Sequence, residues 1–493
     1  MEAPSLAMIP TGFKDGKLYS VLPESGVGDF DVVRGSGATR VNKDGLVVDV
    51  RNLSGELVTN GDFSNGSTDW DLGTGWSVLD GKAVADGTTN NAISQTTISS
   101  AVGKSYKIDF TIADYVTGNI RIYFGGVFTS FVSDNGNYSF QVEATAVDAL
   151  ATSASGLFNG SIDNISVKEV TDDTDIPRLD YTGGGCPSLL LEPQSTNLIT
   201  HSSDFSDASW DKVDSSVLSN QGIAPDGTNN ATLYTATTGE GRLRTNITHP
   251  STIRTFSIWV KSHNSVHVNG ILTFSGLNTA SFTTTDEWQR ITTTRDVAGD
   301  TFKCSLRTTD SLLVWGGQLE ALSYATSYIP TSGVIATRLA DKVTGAGDVN
   351  TFNSTEGVLY FEGAALFSGS NTQISLSDGT DNNSVILRFD LASDRISSFL
   401  RGNGGTFTIK TLTGVTQTDN NKIALVWNAT NFRIWFNGVE AGTIATNDLP
   451  IGLNTLNFAQ PNGISDSFYG KVKDFRTYNT ALTDSELTEL TTI

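Results

Sequence analysis

Two tryptophans, Trp70 and Trp76, stand in the stretch DWDLGTGW beside Asp69 and Asp71, with Asn65 a few residues upstream. An indole face bordered by carboxylates and amides is what a sugar ring needs. The apolar C–H face of a pyranose stacks on the aromatic plane, and its hydroxyl rim takes hydrogen bonds at the edge. The Gly, Asp and Thr content places the stretch in a loop. There the indoles either lie exposed as a platform, with Asp69 and Asp71 at its edge, or turn inward and plug a core beside Phe63. The pattern recurs at SDFSDASWDK, where Trp210 takes the position of Trp70. Trp259, Trp315, Trp427 and Trp435 sit inside apolar alternation and are expected in cores, and Trp288 at the start of a strand.

Other reactive side chains form weaker patterns. His263 and His267 are spaced to share one strand face, but four histidines in the whole chain make no convincing metal constellation. Cys186 and Cys304 are too far apart in sequence for a CxxC site and supply no disulfide framework. With 53 acidic residues, carboxylate pairs such as Glu356 and Glu362, or Asp378 and Asp381, arise by chance. SLSDGTDNNS departs from calcium-loop spacing and reads as a hairpin turn. Nucleophile-elbow, phosphate-loop, zinc-protease and dinucleotide motifs do not occur, so the chain is expected to be non-enzymatic.

Strands must position these groups. Apolar and polar residues alternate in SYKIDFTI (105–112), NIRIYFGG (119–126), RTFSIWVKS (254–262), VLYFEGAAL (358–366), SVILRFD (384–390), KIALVWN (422–428) and NFRIWFNG (431–438), separated by Gly, Asn and Asp turns. This is an all-β pattern of sandwiches or jelly rolls. The one helix signal is TALTDSELTEL at 480–490, where Thr483 and Glu486 are spaced as a capping box. The net charge of −21 repels phosphate backbones and anionic lipid, so neither nucleic acid nor a membrane is expected as a partner. The first residues lack the basic and apolar regions of a secretory signal.

The 493 residues suggest about three domains. ELVTNGDFSNGSTDWD (56–71) matches NLITHSSDFSDASWDK (197–212), and VADGTTNNA (84–92) matches APDGTNNAT (224–232). Two tandem β-sandwich modules follow, at 54–175 and 197–330, with connectors at 176–196 and 331–345 and a third sandwich at 346–493.

The strings AMIPTGFKDGKLYSVLP, RGSGATRVNKDGLVVDV, IPRLDY with GGCPSLLLEPQSTNLI, and SYATSYIPTSGVIATRLAD resemble modular structural proteins of tailed bacteriophages, variously tail fibre, head fibre or minor structural proteins. Ser195 stands where that family usually has Arg. The two modules resemble jelly-roll carbohydrate-binding modules. The last, through EGVLYFEGAAL, FRIWFNGVEAGT and FYGKVKDFRTYNTALTDSELTEL, resembles a laminin-G or concanavalin-like sandwich. The resemblance implies a virion protein of the head or tail surface, attached to other virion proteins through 1–53. It implies weak, multivalent binding of host cell-surface polysaccharide and a homotrimer, with a non-binding decoration or connector protein as the alternative. It also implies a structural calcium in the first module, at Asp62 and Asp163.

Overall fold

The computed structural model describes residues 2–14, 16–248, 253–274, 277–296, 301–307, 309–402, 406–446 and 448–493. The fold is nearly all-β, and among the described residues the one α-helix is Asp484–Thr491. Thr483 and Glu486 close the expected capping box at its start. The chain divides into two compact units, one from Met1–Val50, Thr174–Ser195 and Thr337–Ile493, the other from Arg51–Asp173 and Thr196–Ala336.

The second unit holds two jelly rolls with the same strand order. In the first, Ser105–Phe124 and Leu150–Asp172 pair along most of their lengths, with register shifts between Ala113 and Asn119. Beyond the shifts the pair acquires new neighbours. Its 105–113 half pairs with Gly136–Glu143, and its 117–124 half with Val127–Phe128. Alternation sends Tyr106, Ile108, Phe110 and Ile112 inward to meet Ile120, Ile122, Phe124 and Leu150. The second jelly roll separates the same order into two five-stranded sheets. One runs Ser215–Leu218, Thr232–Ala236, Ser311–Glu320, Ile253–Ser262, Gln289–Asp296; the other Asp211–Val213, Glu240–Asn246, Thr301–Arg307, Asn269–Phe274, Leu277–Thr283.

The sequence repeat has a local cause. In each copy of Asp-Phe-Ser, an aspartate oxygen accepts the N–H and hydroxyl of the serine two residues on: Asp62 from Ser64 at 3.2 and 2.9 Å, Asp204 from Ser206 at 3.0 and 2.5 Å. The turn drops the intervening phenylalanine inward against the following tryptophan, Phe63 on Trp70 at 5.2 Å and Phe205 on Trp210 at 4.8 Å between ring centroids. Gly61 lets the turn's backbone lie against Ile165, whose N–H the Gly61 carbonyl accepts at 2.9 Å, since a Cβ there would lie 2.0 Å from the Ile165 carbonyl oxygen.

The first unit is a sandwich whose larger sheet runs Leu179–Asp180, Ser188–Leu191, Gly470–Tyr478, Gly357–Ala365, Asn421–Trp427, Asn431–Phe436, Val439–Ala445. Leu6–Met8 also pairs with Gly470–Tyr478. Five strands from Thr372 to Asn457 make the facing sheet, and the helix lays Leu487 and Leu490 on the opposite side, over Val358, Tyr360 and Val426. Segments read from the sequence as an N-terminal extension and two connectors are thus woven into this sandwich. Leu6, Met8, Phe30, Leu189, Leu191 and Val343 share its core with Leu359, Phe361 and Phe475. Short apolar runs such as LAM and SLLL cannot stay in water as linkers when an unpaired sheet edge is within reach.

Beneath these segments lies a buried ionic network. Arg178 binds Glu192 at 2.5 Å and also Asp341, Arg338 binds Glu192 at 2.7 Å, and Arg34 binds Asp341 at 3.0 Å and the Ile176 carbonyl at 3.0 Å. All five side chains are 2% exposed or less. Burial opposes the charge on Arg178, but Asp341 and Glu192 outweigh it and raise its pKa; at Arg34 burial prevails and lowers it. Removing one partner strands a buried charge. Arg178→Met should therefore cost about 3–5 kcal/mol, seen in calorimetry as a fall in the melting transition of the first unit while that of the second stays in place. An unmoved first-unit transition would show that the network carries no stability.

Candidate functional site

Trp70, read from the sequence as either platform or plug, is a plug. It is 6% exposed, packs on Phe63, and donates its indole N–H to the Asn60 carbonyl at 3.0 Å. A ring so enclosed offers no face to a sugar. Asp69 and Asp71 flank it on the surface, Asp69 at a left-handed φ of 69°. Trp76 is half-buried, stacked on Phe158 at 6.2 Å with its N–H on the Asn91 carbonyl at 2.8 Å. Its loop is latched by Thr89, which donates to the Thr74 carbonyl at 2.6 Å, and by Gly75, whose φ of 85° and closeness to Asp86 leave no room for a side chain. The four residues therefore do not converge on one platform. Trp210, Trp259, Trp315, Trp427 and Trp435 are buried, and Trp288 donates to the Ile223 carbonyl.

The first jelly roll instead presents an outward face built from strands 71–72, 93–95, 150–155, 117–124 and 127–128. Register aligns Phe128, Tyr123, Ala151, Ser94 and Asp71 across it in one row, with Arg121 opposite Ser153 in the next. Directly paired residues share a face, so all of these point away from the core that Ile93, Ile122 and Leu150 fill. Small side chains at Ala151, Ser153 and Ser94 leave the middle low. On one side stand Phe128 and Phe131, 46% and 41% exposed, with the Arg121 guanidinium carbon 3.7 and 4.2 Å from their ring centroids. Tyr123 lies 4.7 Å from Phe128 and donates its hydroxyl to Asp148 at 2.7 Å, a bond that raises the phenol pKa. Asp71 is thus the one sequence-predicted residue on this face, at its far edge. The signal for the rest was present: Gly125–Gly126 between apolar strands marks a hairpin, and alternation from Ile120 and Ile122 turns Arg121 and Tyr123 outward.

The corresponding sheet of the second jelly roll carries a groove of about 530 Å³, lined among others by Glu240, Ile271, Ser281, Thr283 and Arg307. The neighbouring Ser305 hydroxyl and the Arg242 guanidinium, 3.2 Å from Glu240, hold the Glu240 carboxyl below the usual range. The two jelly rolls therefore open the same sheet face to solvent with different chemistry.

Asp62 and Asp163, expected as calcium ligands, lie near enough to interact. Burial raises the Asp163 carboxyl, hydrogen bonding from the Asn164 N–H opposes this, and the charge of Asp62 raises it further; Ser64 holds Asp62 low. Two carboxylates fit a hard cation as far as they go, but calcium takes 6–8 oxygens. Among the described residues no group of three or more His, Cys, Asp or Glu converges. Backbone carbonyls and water would complete the shell.

Residues 364–488 match the concanavalin A-like lectin/glucanases superfamily model, so the C-terminal sandwich is a concanavalin-like domain. No curated protein sequence matches the chain. Among solved structures, the CBM40 module of the Ruminococcus gnavus IT-sialidase, bound to α2,3-sialyllactose, is 17% identical, with 30% of this chain and 88% of that chain covered and a TM-score of 0.26. The binding domain of botulinum neurotoxin serotype G is 14% identical, with 30% and 39% covered and a TM-score of 0.24. At these TM-scores neither likeness assigns a ligand to this chain.

Trp70→Ala should destabilise the second unit by about 3–5 kcal/mol, the cost of emptying a buried aromatic site. Chemical denaturation checks this, and a loss below about 1 kcal/mol would mean that the ring is not a core element.

Proposed function

We propose that the protein is a non-enzymatic structural protein of a tailed-phage virion, a fibre or spike that displays β-sandwich modules for weak, multivalent binding of host-surface polysaccharide. The observation that carries the glycan-binding part is the outward face of the two jelly rolls, aromatic in the first and grooved in the second, on a chain that ends in a concanavalin-like domain. Low floors and aromatic walls suit flat sugar rings, and many copies on one particle turn weak contacts into avidity. The virion assignment rests on the sequence strings described above. Tyr19, Val21, Val27 and Val33, each more than a third exposed, offer an apolar surface within 1–53 for attachment to other virion proteins or for a trimer.

The decoration or connector reading has one observation in its favour. Six of the eight tryptophans are at most 9% exposed and unavailable to sugars. Binding of the full chain, clustered on beads, to intact bacterial cells decides between the two. Saturable binding competed away by free polysaccharide from the same cells is expected, and its absence would favour decoration. A fragment starting at 346 would be the wrong reagent, because the sheet borrows Leu6–Met8 and Ser188–Leu191.

Calcium at Asp62 and Asp163 belongs to the same reading. A raised carboxylate pKa means that ionised Asp163 weakens the fold: its contribution is best below the unfolded pKa of about 3.9 and declines as pH rises through the folded one. A cation between the two charges relieves that cost. Calcium at a hundred times its dissociation constant should stabilise the second unit by about 2.7 kcal/mol at neutral pH. The effect should fade in acid and vanish in Asp163→Asn; a melting temperature unchanged between calcium and chelator would rule the site out.

A further inference from the structure

We infer that the outward face of the first jelly roll selects an acidic sugar, with Arg121 as its carboxylate anchor and Phe128 and Phe131 as its stacking wall. The inference rests on the glycan-binding reading above and names the class of sugar. Arg121 differs from most surface arginines of this chain. Arg244 pairs with Asp211 at 3.1 Å, Arg388 with Asp390 at 2.7 Å and Arg433 with Glu440 at 2.7 Å. Among the described residues no carboxylate pairs with Arg121; its one hydrogen bond is a long contact from Nε to the Ser153 hydroxyl at 3.5 Å. Asp148 is engaged by Tyr123.

Two half-exposed phenylalanines against this guanidinium do two things. They hold its plane, which removes rotamer freedom before a ligand arrives, and they thin its hydration, which strengthens any carboxylate bond it makes. The terminal N–H groups are the part left for a ligand, in the fork that matches a carboxylate with two parallel hydrogen bonds. A uronic acid or other carboxylated pyranose satisfies both halves of the site at once. Its C–H face lies on an exposed phenyl ring and its carboxylate meets the guanidinium edge, over a floor where Ala151 and Ser153 raise no obstacle.

A chain of net charge −21 repels polyanions at long range. That repulsion is screened beyond about 8 Å at physiological salt, so the local cation governs the contact. The matching face of the second jelly roll has ionised Glu240 in its groove. Glu240 is paired there with Arg242 at 3.2 Å and shares the groove with Arg307, so that face mixes both signs and the Arg121 variants are what isolate the first face.

The test uses the full chain and labelled polysaccharides followed by fluorescence anisotropy at physiological salt. The acidic probes are polygalacturonate, alginate and hyaluronate; the neutral ones are dextran and fully methyl-esterified polygalacturonate. At least one acidic polymer should bind about tenfold more tightly than the neutral ones, a difference of about 1.4 kcal/mol. Arg121→Gln should erase that preference. Arg121→Lys, which keeps the charge and loses the planar fork, should lose most of it, with the melting temperature of the second unit as a control for folding. Phe128→Ala, at an exposed position, provides a second disruption of the same site should the glutamine variant unfold. An acidic preference that survives Arg121→Gln in a folded protein, or acidic polymers that fail to bind, would overturn the inference. Neutral and acidic polymers binding equally would overturn it too, yet leave the broader glycan-binding reading standing.

Discussion

Three guanidinium groups and two carboxylates share one dry site in the first unit, and the path of the chain is constrained by keeping them paired. Arg34 comes from the N-terminal segment, Arg178 and Glu192 from the segment between the jelly rolls, and Arg338 and Asp341 from the approach to the concanavalin-like domain. Such a cluster adds little net stability over an apolar core of equal volume, because desolvation consumes much of the Coulombic gain. What it enforces is co-residence: no segment can leave without abandoning an unpaired charge. The strands next to these residues are thereby held against one core, Leu179–Asp180 and Ser188–Leu191 in the larger sheet of the sandwich and Phe30–Val33 in a small four-stranded sheet beside it.

The network joins segments that lie far apart in the sequence. RGSGATR supplies Arg34, IPRLDY supplies Arg178, LLLEPQS supplies Glu192, and ATRLAD supplies Arg338 and Asp341. The jelly rolls lie between these segments in sequence, and each begins and ends on neighbouring strands. Asn52–Leu53 pairs with the end of Leu150–Asp172, and Asn197 donates to the carbonyls of Ile329 and Gly317. A sandwich whose ends meet can be inserted or exchanged without pulling the network apart, which suits a chain whose outward faces differ from one module to the next.

Within each jelly roll the division of labour is set by the pleat. One face of every strand is committed to the core, and the other is free to vary. Trp70 and Trp210 went to the committed side because the Asp-Phe-Ser turn sets a phenylalanine against each, and Trp76 stacks on Phe158, so DWDLGTGW does not furnish a platform. The phenylalanines that remain accessible belong to a tight hairpin, where two rings and a cation shield one another enough to stay on the surface.

The all-β class, the strands, the capped helix and the internal repeat were legible in the sequence. Alternation with period two, turn residues at fixed spacing and a Thr-x-x-Glu cap are local signals, and local geometry obeys them. The core role of Trp70 was one of two readings the residues allowed, and Asp71 was the one nominated residue that lies on the aromatic face. Tertiary structure decided the rest, because it depends on which strands become neighbours. The sequence shows Arg34, Arg178, Arg338, Glu192 and Asp341 as ordinary charged residues in turn-rich stretches, and only pairing across up to 307 positions turns them into a buried cluster. Arg121, Phe128 and Phe131 likewise acquire meaning only when the Gly125–Gly126 hairpin folds the rings back over the guanidinium and Ser153 comes alongside. Periodicity tells a residue which way to face; register alone tells it what it will meet.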